Sequence, residues 1–297
     1  MVADIRLKLY STVLLLGASI FAQAAGWDGP QERVQDKAID VLASSPTGKA
    51  LLEKAASFWK YKEGHGLVSH LKWGEASRTD AVLIRKLDPV TGQESREREV
   101  TIYLKKTPSL NDLVLDIAHE LVHATSRPGW DPYDPLLTPG KYIWTSIEGE
   151  GGEVEAVFAE CKVSSELPAL QPLYVKRCGQ YLEPGQKEIV RTRIRADFYR
   201  VGKWNPELQR NLGAETVMFP LLSKDSPHLY SSTGRAPYPA ALYQEYKELT
   251  QLACENTARR AQAFGVRGPS RGLASEPRPT ERATTDFLNQ RCRPRTF

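Results

Sequence analysis

The spacing of apolar residues along this 297-residue chain alternates between helical and strand periodicity. Residues 31–58 carry two helical patterns, interrupted at Ser44-Ser45-Pro46. Short runs rich in β-branched and aromatic residues then predict three strands, at 67–73, 81–87 and 99–104. The polar stretch 88–93 predicts a turn between the last two. This part of the chain therefore predicts a helix pair followed by a small sheet.

A helix is predicted directly after this sheet. It begins near Ser109, a candidate N-cap, with Asp112 three residues later in a position that resembles a capping box. Apolar side chains recur on one flank, at Leu110, Leu113, Ile117, Leu121 and Ala124. The opposite flank is polar and carries Asp112, Asp116, His119 and His123. The helix is predicted to end before Pro128-Gly129, to bury its apolar flank and to present the polar one to a cleft.

The C-terminal part of the chain is predicted to be mostly helical. Helical spacing recurs in three segments, at about 150–163, 186–201 and 240–264. Residues 130–145 are rich in Pro, Gly and Tyr, which predicts a loop over a functional site. Residues 265–297 hold many Arg, Pro, Gly and Ser residues, which predicts a largely disordered tail. We therefore predict an α+β domain at 25–264, in which a small mixed sheet precedes the helix that begins at Ser109.

The N-terminus has the pattern of a secretory signal peptide. Arg6 and Lys8 precede an apolar stretch at 9–22, and Ala22-Gln23-Ala24 supplies a small-x-small cleavage site. The alternative is an uncleaved N-terminal anchor. No later segment approaches the roughly 20 apolar residues of a membrane span, so no transmembrane helix is predicted in the mature chain. We predict a signal peptide at 1–24 and a secreted or periplasmic protein.

Charge and cysteine content narrow the functional class. The net charge of +4 falls to +3 when residues 1–24 are removed, and this mild excess does not predict nucleic-acid binding. Four cysteines in an exported protein predict two disulfides, for which we favour Cys161–Cys178 and Cys254–Cys292. The alternative is a set of free, buried thiols.

The helix that begins at Ser109 contains the sequence His119-Glu120-Leu121-Val122-His123, an H-E-x-x-H motif. Two histidines four residues apart lie on one helical face, so both imidazoles can bind one metal ion. Glu120 borders the same face, where it can take a proton from a water molecule at the metal. The motif therefore predicts one zinc ion held by His119 and His123, with Glu120 as the catalytic base.

A catalytic zinc usually has a third protein ligand. The other histidines, at 65, 70 and 228, lie in unrelated contexts, whereas residues 148–160 are rich in carboxylates. Glu153 and Glu150 are the candidates within this stretch. Glycines at 149, 151 and 152 disfavour a helix that starts early enough to orient Glu150, which favours Glu153.

The H-E-x-x-H sequence and the later Glu153-Val154-Glu155-Ala156 resemble the gluzincin metallopeptidases, the thermolysin-like group, and zinc-protease effectors of pathogenic bacteria. The likeness covers about fifty residues, between 109 and 161. It implies a zincin-like fold with Glu153 as third ligand. Many gluzincins have an Asp four residues after this Glu, where this chain has Val157. A partner for a zinc-binding histidine would then come from Asp116, Glu160 or a backbone carbonyl.

These patterns predict an exported zinc-dependent metalloendopeptidase that acts on a protein or peptide substrate. Tyr142, His228 and Tyr230 are candidates for stabilising the oxyanion. One alternative is a catalytically inactive, zinc-stabilised secreted binding protein, and another is a zinc hydrolase that cleaves a different amide. An enzyme requires the fourth metal position to be open to a cleft, whereas a structural site closes it with a fourth side chain.

Overall fold

The fold is described from a computed structural model of the full chain. The structure describes residues 5–14, 31–61, 64–87, 94–106, 109–183, 185, 188–231, 234–263 and 279–292. The strands are β1 (Ile5–Leu14), β2 (Leu71–Gly74), β3 (Arg78–Leu87), β4 (Glu94–Lys105) and β5 (Tyr230–Ser231). The longer helices are α1 (Gln31–Ala43), α2 (Pro46–Trp59), α3 (Leu110–Thr125), α4 (Pro139–Glu148), α5 (Glu153–Glu166), α7 (Arg191–Phe198), α8 (Asn205–Leu212), α9 (Tyr238–Ala263) and α10 (Pro279–Arg291). Between α5 and α7 lie short helical turns, one of which is α6 (Gln171–Leu173). The predicted α+β class, mostly helical with a small mixed sheet before α3, is confirmed.

The sheet has the strand order β2-β4-β3-β1-β5, in which β2 and β4 are parallel and the other neighbours are antiparallel. The hairpin of β3 and β4 confirms the two predicted strands, although β4 begins five residues earlier than predicted. Its connecting turn, 88–93, lies outside the described residues. The first predicted strand is correct only at its end, because Gly64–His70 forms a 3₁₀-helix before β2.

In the full chain, Ile5–Leu14 forms β1, which pairs with β3 from Ile5 opposite Arg85 to Thr12 opposite Arg78. The predicted signal peptide covers this strand, and its remaining residues, 1–4 and 15–24, lie outside the described part. None of the described helices is long and apolar enough to cross a bilayer.

Helix α3 lies at the centre of the molecule. It packs against α1, α2, α5 and the strands β3 and β4, and every residue from Leu113 to Thr125 is buried except Asp116, which is partly exposed. Its predicted N-cap is confirmed, since the Ser109 hydroxyl accepts a hydrogen bond from the Asp112 amide at 3.3 Å. Burial on all sides requires each polar group on this helix to find a partner inside the protein.

Two predictions for the region beyond α3 are wrong. The segment 130–145 is not one loop, because α4 begins at Pro139 within it; the Thr138 hydroxyl caps the helix and Tyr142, Ile143 and Ile147 are buried. The helix predicted at 186–201 is shorter and spans Arg191–Phe198. The predicted helices at 150–163 and 240–264 correspond to α5 and α9.

Both predicted disulfides are confirmed. Cys161–Cys178 joins α5 to the turns that follow it, and Cys254–Cys292 joins α9 to the end of α10. The prediction of a disordered tail is wrong for residues 279–292, where Phe287 is 4 % exposed and anchors α10 against the core. The rest of the tail, 264–278 and 293–297, lies outside the described residues.

Candidate metal centre

The H-E-x-x-H residues lie on the buried middle of α3. His119, Glu120 and His123 are 3 %, 1 % and 7 % exposed. Their spacing places the two imidazoles on successive turns, with the ring planes inclined at 63° and the two Nε2 atoms 3.1 Å apart. The structure therefore brings both predicted histidine ligands to one point inside the protein.

Helix α5 supplies a carboxylate to the same point. Glu153, the first residue of α5, is 4 % exposed, and its Oε2 lies 3.5 Å from His119 Nε2 and 3.7 Å from His123 Nε2. These three residues form a buried group that could bind a metal ion. Glu150 is exposed in the preceding turn and lies outside this group. Of the two predicted candidates, Glu153 is the one that the fold places beside the histidines.

The outer nitrogens of both rings are already engaged. His123 Nδ1 donates to the Gly151 carbonyl at 2.7 Å, and His119 Nδ1 lies 3.4 Å from Glu160 Oε2. A carbonyl only accepts, so His123 carries its proton on Nδ1. Glu160 is in turn held by Arg177, whose Nη1 lies 2.8 Å from Glu160 Oε1. Each ring is thus oriented by a partner behind it, as is usual for metal-binding histidines.

The sequence suggested three candidate hydrogen-bond partners for a metal-binding histidine. Two of them, Glu160 and a backbone carbonyl, lie against the histidine rings in the structure. The third, Asp116, instead accepts a hydrogen bond from the Ser77 hydroxyl at 2.5 Å. Burial raises the pKa of Asp116 to about 6, against the opposing effects of Ser77 and Arg177.

With both Nδ1 atoms donating, the two Nε2 atoms and Glu153 Oε2 are three acceptors that face one another. Glu153 Oε2 is buried and has no hydrogen-bond partner. Three converging acceptors repel one another unless a cation or a proton lies between them. A tetrahedral ion bonded at about 2.0–2.1 Å holds its ligands about 3.4 Å apart, and the observed separations are 3.1, 3.5 and 3.7 Å. The residues therefore fit a small divalent cation.

The pKa of His119 reflects the same arrangement. Burial alone would lower this pKa, but Glu153 and Glu160 outweigh it and raise the pKa to about 10. The pKa of Glu153 is lowered, because the two histidines outweigh the effect of its burial. Without metal, a proton on His119 thus balances the carboxylate, in the place where a cation would do so.

Glu120 is held beside this group by the sheet. Its Oε2 accepts a hydrogen bond at 2.8 Å from the hydroxyl of Thr79, which lies on β3. Burial raises the pKa of Glu120 to about 7, although the charges of His119 and His123 oppose the shift. A carboxylate with this pKa can accept and return a proton near neutral pH. The sequence did not identify Thr79, since nothing in a strand pattern shows which helix residue it contacts.

Gly151 is a second residue that the sequence missed as part of the site. It has a φ of +70°, and a Cβ there would lie 2.2 Å from the Cβ of Ser126. Its carbonyl can reach His123 only because the turn passes this close to the end of α3. The Glu155 carboxylate accepts from the Gly151 amide at 2.8 Å and fixes the turn from the other side. In the sequence, the feature that could have indicated this role was a glycine in the short segment between two helices.

A cleft of about 550 Å³, counting the part open to solvent, adjoins the metal centre. Its walls include the candidate ligand His123 together with Thr79, Arg98, Trp130, Ser146 and Glu150. The three candidates for oxyanion stabilisation do not line it. Tyr142 is buried and hydrogen-bonds Glu245, His228 Nδ1 contacts Asp197 at 2.9 Å, and Tyr230 lies on β5.

No protein-family model, no curated protein and no solved structure matches this chain. The geometry of the site is therefore the basis for assigning a function.

Proposed function

We propose that this chain is an exported zinc-dependent metalloendopeptidase of the gluzincin type. In this proposal His119, His123 and Glu153 hold one zinc ion, and Glu120 is the general base. The observation that carries the proposal is the buried set of three converging acceptors, with a second carboxylate, Glu120, beside it and a cleft against one of the proposed ligands.

The donor set favours zinc. Two imidazole nitrogens and one carboxylate oxygen are a usual catalytic zinc set, whereas magnesium and calcium prefer oxygen ligands alone. Among the described residues no fourth His, Cys, Asp or Glu joins the group. A site with three protein ligands next to a cleft leaves room for water and substrate. This favours an enzyme over a zinc-stabilised binding protein, whose metal would be closed off by a fourth side chain.

When bound, a zinc ion supplies Lewis-acid chemistry, in that it lowers the pKa of water and polarises a carbonyl group. The chain supplies the proton transfers. Thr79 fixes Glu120 Oε2, so the Oε1 atom is the one that can take a proton from the attacking water and later deliver it to the leaving amine. Glu160 and the Gly151 carbonyl keep both imidazole Nε2 atoms directed at the ion.

The order of elements supports a zincin-like arrangement. A sheet precedes the helix with H-E-x-x-H, and a later helix brings the third ligand. Val157 stands where many gluzincins have an Asp that hydrogen-bonds a zinc-binding histidine. In this chain Glu160, on the same helix, lies behind His119 and can take that role. It lies seven residues after Glu153 rather than four, two turns along the same face of α5.

Export is part of the proposal. The two disulfides require an oxidising compartment to form and persist, and the N-terminal pattern at 1–24 is that of a cleavable signal peptide. We place the mature protein in the periplasm or outside the cell, where it acts on proteins or peptides.

The test compares the purified chain with Glu120→Gln. The amide has nearly the same shape but cannot accept the proton, so we expect equal zinc content by elemental analysis and a loss of peptide cleavage of at least about a thousandfold. The substrate is a mixed library of internally quenched peptides. Glu53→Gln, an exposed position on α2, removes the same charge away from the site and should cleave like the unaltered chain.

Two outcomes would overturn the proposal in different ways. If Glu120→Gln binds zinc and still cleaves at the full rate, Glu120 is not the base. If the unaltered chain binds zinc but cleaves no peptide in the library, the peptidase assignment fails and the zinc-stabilised binding protein becomes the better description.

A further inference from the structure

Arg98 lies in the wall of the cleft that adjoins the metal centre. It is on β4, paired with Leu83 of β3, and its side chain points to the end of α3. Its Nη1 donates to the Ser126 carbonyl at 2.5 Å, which satisfies one of the free carbonyls at the end of this helix. The same cleft is lined by the metal ligand His123. A molecule that fills the cleft would therefore touch both Arg98 and the metal centre.

Among the described residues no carboxylate pairs with Arg98, in contrast to three other arginines that are shielded from solvent. Arg177 contacts Glu160 and Asp112, and Arg85 and Arg260 both contact Glu94. Within the described residues, Arg98 has only the Ser126 carbonyl, and its Nε is buried without a partner.

The electrostatic surroundings of Arg98 reinforce this difference. Burial lowers the pKa of Arg98 to about 10, and the nearby charge of Arg127 acts in the same direction. Glu150 is the single acidic residue among those lining the cleft; it is exposed and forms no ion pair with Arg98. The wall of the cleft thus holds a desolvated positive charge.

A buried charge without a counter-ion is costly, and a carboxylate that enters the cleft would remove that cost. Only one of the five guanidinium N–H groups is used by Ser126, so donors remain for a bidentate pair with a carboxylate. The hydrogen bond to Ser126 meanwhile fixes the guanidinium at a set position relative to His123. Such a group distinguishes an acidic side chain from its amide, because the amide cannot supply the charge.

We propose that Arg98 is a recognition residue for a carboxylate, and that the preferred substrates are peptides with Asp or Glu close to the cleaved bond. This inference rests on the proposed function for its reference to cleavage. The recognition of a carboxylate in the cleft does not depend on catalysis and can be measured without it.

The binding test uses the zinc-loaded Glu120→Gln chain, which does not turn over. Probes are fluorescent hexapeptides with blocked ends, in which a single Glu is moved along an otherwise neutral sequence, each matched with a Gln peptide. At one position we expect Glu to bind at least about tenfold tighter than Gln. The preference should disappear in the double variant with Arg98→Gln, and Arg98→Lys should retain part of it. Arg127→Gln, a charge removed from the same region, should keep most of the preference.

A second set of probes separates two sources of a carboxylate. Neutral peptides with a free C-terminus are compared with their C-terminal amides. A preference for the free acid that depends on Arg98 would assign the pocket to a terminal carboxylate and would contradict the proposal for acidic side chains. Zinc content and the thermal midpoint of each variant show whether the substitution has left the fold and the metal centre unchanged.

Cleavage of the same peptides by the unaltered chain separates the two hypotheses. Cleavage without a Glu preference, together with equal binding of Glu and Gln peptides, overturns the role of Arg98 and leaves the peptidase proposal standing. Binding that prefers Glu through Arg98, without cleavage, retains the carboxylate site and rejects the peptidase. If Arg98→Gln lowers the binding of Glu and Gln peptides equally, Arg98 acts only as a cap of α3.

Discussion

At the scale of single residues, the metal centre depends on side chains and backbone groups that reach it from distant parts of the chain. Glu120 is positioned by Thr79, forty-one residues earlier, and His119 by Glu160, forty-one residues later. His123 is positioned by the carbonyl of Gly151. The two contacts to the histidines fix which nitrogen of each ring faces the proposed metal site, so a change in one of them should alter metal affinity without touching a ligand.

Gly151→Ala tests this directly. A Cβ at this position would meet Ser126 at 2.2 Å, so the turn must move and draw its carbonyl away from His123. We expect zinc affinity to fall at least about tenfold, the effect usual for losing a partner behind a ligand. The measurement is competition for zinc with a chelator of known affinity.

Gly185→Ala is the matched control for Gly151→Ala. Gly185 also has a positive φ, +77°, but a Cβ there meets no atom of the described residues within 4 Å. This variant should lose about 1 kcal/mol of stability from its backbone conformation and keep its zinc affinity. Equal losses of zinc affinity in the two variants would mean that general destabilisation, rather than the contact with His123, controls the metal centre.

At the scale of elements, the sheet and the helices are joined by charged contacts. Glu94 begins β4 and accepts hydrogen bonds from Arg85 of β3, at 3.0 and 2.7 Å, while Arg260 of α9 lies 2.8 Å away. Burial alone would raise the pKa of Glu94, but these arginines and Arg96 outweigh it and lower the pKa to about 2. Glu94 therefore ties the strand pair to the last long helix of the domain.

Glu94→Gln should lower the free energy of unfolding by roughly 2–3 kcal/mol at pH 7, because a lowered carboxyl pKa stabilises the folded state wherever the group is ionised in both states. This contribution is complete above the unfolded pKa of about 4.5 and is lost as the pH falls from there to about 2. Urea unfolding at pH 7, 4.5 and 3 should therefore show the two proteins converging as the pH decreases.

Glu97→Gln on the same strand is the control, since Glu97 pairs with Lys86 where both side chains are about half exposed. Its effect should stay below about 0.5 kcal/mol at each pH. A Glu94→Gln variant whose deficit does not change between pH 7 and pH 3 would show that Glu94 acts through packing rather than charge.

The elements that the sequence predicted well are those whose determinants are local. Helix α3 has its cap, its apolar stripe and its H-E-x-x-H motif within about seventeen residues. Helix α4 was missed because Pro139 and Gly140 suggest a loop, although Pro favours the first turn of a helix. Helix α10 was missed because it is held by Phe287 and a disulfide to α9, and these contacts link residues far apart in the chain.

The same distinction applies within the metal centre. His119, Glu120 and His123 are visible in the sequence because helical spacing alone brings them together. For the third ligand, the sequence left two candidates, Glu150 and Glu153. The turn before α5 decides between them, because it places Glu153 beside the histidines. Thr79, Gly151 and Arg98 belong to the site only through the packing of β3, β4 and the turn against α3, and no local pattern shows that packing.

At the scale of the whole molecule, the metal centre joins the two helices that organise the core. Helix α3 carries two of the proposed ligands and α5 the third, and both helices are buried along most of their length. A metal that binds only the folded state adds stability by mass action, about 2.7 kcal/mol at a free concentration of one hundred times the Kd. Zinc binding should therefore increase the free energy of global unfolding. The size of this increase should depend on pH through the titratable groups around the site.

The proton on His119 should make both stability and zinc affinity depend on pH. In the metal-free protein the pKa values of His119 and Glu120 are raised to about 10 and about 7. A raised pKa contributes stability below the unfolded pKa and loses it as the pH rises to the folded pKa, so the metal-free protein should become less stable from pH 6 to 9. Zinc takes the place of the His119 proton, and its affinity should increase over the same range.

The difference in thermal midpoint between zinc-loaded and metal-free protein should consequently widen from pH 6 to pH 9, and calorimetry in buffers of different ionisation enthalpy should show proton release on zinc binding at pH 7. Replacing His119 by Gln removes the competing proton and a ligand together, so this variant should show neither effect. A midpoint difference that stays constant across this pH range would mean that His119 does not exchange a proton for the metal.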